Sequence, residues 1–184
     1  MSKTKSGAKM YATRIDLSEN VRQDVTKMLN DTLASTLDLW SQTKQAHWNV
    51  KGKDFYQVHL LFDEMAAEVY EFIDLVAERV TTLGGIALGT ARMAAESSAV
   101  EEYPTDLVSA EEHVAALSDR YAAYGKHVRA GIEKTDELGD ADSADLYTEI
   151  SRTIDKRLWF LESHLVGSKF ESKTGASEPV GARR

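Results

Sequence analysis

The sequence predicts an all-α protein built as a four-helix bundle, and three observations lead there. Only two prolines, Pro104 and Pro179, occur in 184 residues, so few positions forbid a helix. Apolar residues recur at alternating spacings of three and four over long stretches, which is the period of a helix with one buried face. No segment sustains the period-two alternation of a half-buried strand.

The first helix is expected from about Ser18 to Val50, where Val21, Val25, Met28, Leu29, Leu33, Leu37 and Trp40 form one apolar stripe. Gly52 breaks the chain. The second helix is expected from Phe55 to Leu83, because Phe55, Val58, Phe62, Met65, Val69, Phe72 and Val76 make a bundle seam. Gly84-Gly85 stops it. Residues 86–105 form a mixed connection with a short helix near Ala91 to Ser97. Ser109-Ala110-Glu111-Glu112 reads as a capping box that opens a third long helix through Val114, Leu117, Tyr121, Tyr124, Val128 and Ile132. The aspartate-rich turn LGDADSADL precedes a fourth, carrying Leu146, Ile150, Ile154, Leu158 and Leu165. Four long helices with one long middle connection indicate a ferritin-like four-helix bundle with a short helix between the second and third.

Composition narrows the function classes. At 42% hydrophobic and 28% charged residues, the chain is ordinary for one globular domain. It contains no cysteine, which removes disulfides, thiolate metal sites and cysteine nucleophiles. No apolar run reaches the roughly 20 residues needed to span a bilayer, so no membrane partner is expected. The first residues lack the apolar core of a secretory signal, and a bacterial cytosolic location is expected. The net charge of −8 hides an asymmetry: residues 1–14 carry +4 and residues 167–184 carry +2, which puts −14 on residues 15–166. The expected layout is a basic, flexible N-terminal tail (1–14), one helical domain (15–166) and a flexible C-terminal tail (167–184). Basic ends can touch phosphates; they also serve solubility alone.

The stretch HWNVKGKDFYQVHLLFDEM (47–65) carries the chemistry. His59 and Asp63 are four residues apart and share a helix face, and Asp74 and Glu78 repeat that spacing. Asp63 and Asp74 point within about 20° of each other but lie roughly 16 Å apart along the axis. Metal–ligand bonds are near 2 Å, so one copy of the helix cannot bring both to one metal. Symmetry removes the difficulty, because the pairs 63/74 and 59/78 share one midpoint between Glu68 and Val69. Two copies crossing antiparallel there would set Asp63 against the partner subunit's Asp74, and His59 against the partner subunit's Glu78. Ala66 and Ala67 sit near the crossing, where small side chains allow close approach. His47 is placed to add a nitrogen to the same cluster. Imidazole and carboxylate without sulfur suit iron, manganese or zinc. Trp48, beside His47, is either core or an indole able to absorb a stray oxidising equivalent.

No histidine follows a glutamate by three residues, so the Glu-x-x-His pattern of an intrachain di-iron centre is missing. His113, His127 and His164 read as structural or surface residues. Asp140, Asp142 and Asp145 are either a pore lining or caps of the fourth helix.

At KQAHWNVKGKDFYQVHLLFDE, FIDLVAERVTTLGGIALGT, DRYAAYGKHVRAGI and DADSADLYTEISRTIDKRLWFLESHL, the chain resembles the Dps family of mini-ferritins, over roughly residues 15–166. The resemblance implies ferroxidase ligands at His47, His59 and Asp63 of one subunit with Asp74 and Glu78 of its two-fold mate. It further implies a hollow shell of twelve subunits in which Fe(II) entering by acidic pores is oxidised, preferably by hydrogen peroxide, and stored as ferric mineral. The activity expected is that of an oxidoreductase acting on metal ions. On DNA the residues pull in opposite directions. Lys3, Lys5 and Lys9 resemble the arm with which family members hold DNA non-specifically, whereas the acidic body repels a duplex. Two other readings stay open: a DNA-compacting, nucleoid-associated protein with little ferroxidase activity, and a zinc- or manganese-occupied structural dimer.

Overall fold

A computed structural model of the chain describes residues 9–170. Five helices follow in order: α1 (Glu19–Asn49), α2 (Phe55–Thr82), α3 (Ala91–Ser97), α4 (Ala110–Glu137) and α5 (Ala141–Ser163). Three of the starts have a local cause. The Ser18 hydroxyl accepts from the Val21 amide at α1, Thr90 accepts from Met93 at α3, and Ser109 and Glu112 close the expected capping box at α4. Each satisfies an amide that the first helical turn leaves unpaired. The last helix ends two residues before Leu165, which packs into the core from the turn that follows.

The bundle consists of two hairpins. α1 packs most extensively on α2, and α4 on α5, while the long connection crosses between them and lays α3 on α1. The seam residues Phe62, Met65, Val76 and Val80 of α2 meet Leu29, Leu33 and Leu39 of α1 in a core that also takes Leu117, Tyr121, Ile150 and Ile154 from the other hairpin. Among the described residues no strand forms; a single parallel bridge between Lys51 and Ser109 ties the α1–α2 turn to the start of α4. No described helix is long and apolar enough to cross a membrane.

The ends of the described chain are fastened to the bundle. The Tyr11 amide donates to the Gly84 carbonyl at 2.7 Å, and the buried Arg22 guanidinium donates to the carbonyls of Tyr11 and Leu83. Gly84 has a φ of +86°, and a Cβ there would collide with the Tyr11 carbonyl, so glycine is required at that helix end. At the other end, Phe170 packs against the core. Tyr11 and Phe170 therefore touch the domain, although they fall in the segments expected to be tails. Lys3, Lys5 and residues 171–184 lie outside the described residues.

Candidate metal centre

The turn between α1 and α2 builds the centre. His47 sits in the last turn of α1 and His59 in the second turn of α2. Gly52, at φ +106°, reverses the chain between them in a conformation that favours glycine. The two imidazoles stack with centroids 3.8 Å apart and planes 19° from parallel. His47 Nδ1 donates to the His59 carbonyl and His59 Nδ1 to the His47 carbonyl, both at 2.8 Å. A carbonyl can only accept, so both Nδ1 atoms carry the proton and both Nε2 atoms keep their lone pairs. That tautomer, held by an outer hydrogen bond, is what a metal-binding histidine needs.

Asp63 stands one turn further along α2, its Oδ1 3.8 Å from His47 Nε2. The Lys44 ammonium occupies that oxygen at 2.6 Å, and its hydrogen bond holds the Asp63 carboxyl below the ordinary carboxylate range. Lys44 is a residue that the sequence did not single out. It lies three positions before His47, but which helix face it meets depends on how α1 rotates against α2.

Asp74 and Glu78 are exposed, and neither carboxylate has a side-chain partner among the described residues. Among those residues, no three histidine, aspartate or glutamate side chains of one chain gather closely enough to hold a metal ion. Asp74 lies about 16 Å along the axis from Asp63 at 1.5 Å per residue, so one chain does not bring it to the histidines. The α2 face they share also exposes Tyr56, Leu60 and Tyr70, at 70%, 42% and 57%. Of the two alanines expected near the crossing, Ala67 is exposed on this face and Ala66 is buried in the bundle. Glu68 turns the other way, where the buried Arg157 guanidinium grips both of its oxygens at 2.7 Å. Arg157 also reaches Glu64 at 3.4 Å. These two glutamates therefore tie α2 to α5.

Trp48 is two-thirds exposed, with the Lys44 ammonium 5.9 Å from its ring centre. The three aspartates at the start of α5 part company. Asp140 is buried; it caps the helix through the Ser143 amide, accepts from the Ser143 hydroxyl and pairs with Arg79 at 2.5 Å. Capping, the alternative left open for one of the three, thus occupies Asp140. Asp142 and Asp145 remain exposed. His113 is buried against the Tyr103 hydroxyl at 2.7 Å, His127 bonds Thr32, and His164 closes the end of α5.

Comparison with known proteins agrees with this fold. The family of ferritin-like domains matches residues 26–169. A DNA protection during starvation protein of Agrobacterium fabrum is 42% identical over 85% of this chain and 97% of its own length. The structure of DpsC from Streptomyces coelicolor superposes with a TM-score of 0.82 at 33% identity, over 90% of this chain and 96% of that one. A Dps protein from Vibrio cholerae, described as a member of the ferritin-like diiron-carboxylate proteins, gives a TM-score of 0.79 at 26% identity, over 85% and 98% of the two chains.

Proposed function

We propose, from the premise that the chain belongs to the Dps family of ferritin-like proteins, that it oxidises Fe(II) at sites shared by two subunits. The observation that carries this reading is the pair of locked imidazoles. His47 and His59 present two bare Nε2 atoms beside Asp63, and the matching carboxylates Asp74 and Glu78 stand unpartnered on the same exposed face of α2. A two-fold axis crossing α2 at Ala67 and Tyr70 completes the site with the partner subunit's Asp74 and the partner subunit's Glu78. The same operation sets Tyr70 against the partner subunit's Ala67 and Leu60 against the partner subunit's Ala77. Large exposed side chains thus meet small ones, as a self-complementary interface requires.

Fe(II) is the substrate. The imidazoles and carboxylates suit it without binding it as tightly as thiolates would, and zinc or manganese competes for the same donors. Two Fe(II) each give one electron to one hydrogen peroxide, whose O–O bond breaks to leave two Fe(III) and two hydroxides. No hydroxyl radical is released. Lys44 must leave Asp63 as metal enters, so it neutralises the empty site and then withdraws. Dimers assemble further into a shell of twelve in the bacterial cytosol, with Asp142 and Asp145 lining an entry pore and the ferric product stored inside. DNA protection, the property in the names of the relatives, would use Lys3, Lys5 and Lys9. Lys9 is exposed, its ammonium 4.8 Å over the Tyr11 ring.

The test loads the protein with Fe(II) without oxygen, adds hydrogen peroxide and follows oxidation in wild type and Asp74→Ala. Fast oxidation in wild type with a loss of about 100-fold in the variant is expected, since even outer-shell changes cost about 10–100-fold. Equal rates would sink the shared ferroxidase site.

A further inference from the structure

The core holds a polar feature that the ferroxidase reading does not use. Thr32, Thr36 and Thr43 are fully buried and lie on one stripe of α1 that His47 continues. Successive steps along that stripe are about 6, 10 and 6 Å. Each hydroxyl bonds the carbonyl four residues earlier, and each meets a buried phenol. Thr43 pairs with Tyr121 at 3.2 Å, Thr36 with Tyr124 at 2.6 Å and Thr32 with Tyr147 at 2.9 Å. Tyr124 lies within electrostatic reach of both other phenols.

The far end of this row opens to solvent. Tyr147 and His127 line a cleft of about 540 Å³ walled by Met28, Ala130 and Leu138, with Lys27, Lys134 and Asp31 at its edges. A Cβ at Gly131 would strike the Tyr147 ring, so this glycine lets the phenol lie flat against α4. Thr32 Oγ1 touches Tyr147 Oη at 2.9 Å and His127 Nε2 at 3.0 Å, so turning the one Thr32 hydroxyl proton from the Met28 carbonyl to Nε2 opens a path for a proton from phenol to imidazole. Burial holds His127 below the usual imidazole range, so the resting ring is neutral, and the Asp31 carboxylate favours the imidazolium once it forms.

We infer that Tyr121, Tyr124 and Tyr147 form a relay that carries stray one-electron oxidising equivalents from the His47 end of α1 to this cleft, where a small apolar hydrogen-atom donor, such as a phenol or hydroquinone, quenches them. The inference rests on the ferroxidase reading for its natural source of oxidant. When a peroxide meets one Fe(II) instead of two, one further electron is needed to complete its reduction to water. That electron comes along the phenols from Tyr147, whose proton passes through Thr32 to His127 and on to solvent, while the iron end takes up two. The donor X–H then restores Tyr147 by giving a hydrogen atom. In sum, one Fe(II), one peroxide, one proton and X–H yield Fe(III), two waters and X•. Core packing alone needs no such alignment, since a phenylalanine opposite an alanine or valine fills similar space with no polar atom to satisfy.

The test injects the hole without iron or peroxide, so its result is independent of the ferroxidase reading. The chain has no cysteine, and exposed Lys51, one turn past His47, is changed by Lys51→Cys to carry a ruthenium tris-bipyridyl photo-oxidant on the metal-free full-length protein. After flash oxidation, radicals are read by electron paramagnetic resonance and located by nitroso spin-trapping with peptide mass spectrometry. The expected result is a Tyr147 radical that falls at least tenfold in Tyr124→Phe while the Tyr121 radical persists. Should Tyr124→Phe fail to fold, Tyr121→Phe reads the same loss. Added hydroquinone should shorten the Tyr147 radical's life, and Ala130→Trp, which fills the cleft, should slow that quenching about tenfold. An unchanged Tyr147 yield in either phenylalanine variant, absence of any phenoxyl signal, or quenching indifferent to Ala130→Trp would overturn the relay.

Discussion

Two acidic clusters look alike in the sequence and differ in the fold. At the start of α5, Asp140 is met within its own chain by a helix amide, a hydroxyl and a guanidinium. On α2, the carboxylates of Asp74 and Glu78 are met by no side chain among the described residues, on a face that also exposes Tyr56, Leu60 and Tyr70. A buried carboxylate must find its partners inside the chain or its desolvation goes uncompensated. An exposed one, set among exposed aromatic side chains, carries no such demand, and in the proposed two-fold dimer it meets a second copy. The same residue type is a staple in one place and, in the proposed dimer, half of a site in the other.

The sharpest way to break this contrast is complementation. Asp63→Ala and Asp74→Ala should each lose most peroxide-dependent Fe(II) oxidation. Mixing equal amounts after dissociation should restore about a quarter of the wild-type rate, because half the dimers are mixed and each regains one intact site of two. A mixture as inactive as its components would place the ligands within one chain. For the satisfied cluster, Asp140→Ala should cost about 3 kcal/mol in urea unfolding, the cost of leaving a buried charge unpaired. By contrast, Asp74→Ala should fall within about 0.5 kcal/mol of wild type, as exposed positions do. Lys44→Met should tighten binding of cobalt(II), a non-oxidising probe, by about tenfold, or about 1.4 kcal/mol. Titration calorimetry showing equal or weaker binding would mean that Lys44 does not compete with metal for Asp63.

A more local effect is expected at the start of α4. Ser109→Ala should destabilise the fold by about 1 kcal/mol. Its partner Glu112 is held at about 2 by hydrogen bonds from the Ser109 and Val108 amides and the Ser109 hydroxyl. A carboxylate depressed by folding stabilises above its unfolded value, near 4.5, and that contribution is lost as pH falls toward 2. The Glu112→Gln deficit should therefore be present at pH 7 and shrink on acidification; unfolding curves in which it grows would refute the assignment.

Much of the candidate centre was legible because it depends on helical phase. His59, Asp63, Asp74 and Glu78 could be put on one face from spacing alone, and their common midpoint pointed to a two-fold mate before any coordinates. The capping box at Ser109 and the glycine stop at Gly84 were legible for the same reason, since each is a contact within one turn. Lys44 was not, nor were the Arg157 grip on Glu68 and the threonine–tyrosine pairs. Threonines at 32, 36 and 43 did leave a trace, as polar residues in phase along a buried stripe, but nothing in α1 says which phenol each would meet.

By itself the sequence determined where the helices run, which faces are apolar and which ligand types share a face, because periodicity is a property of neighbours in the chain. Only the tertiary structure decided the reciprocal histidine bonds that bare both Nε2 atoms, the burial of Asp140 and the row of phenols beneath α1. Those depend on the rotation and register of one helix against another, which many distant side chains set together and no single stretch of residues specifies.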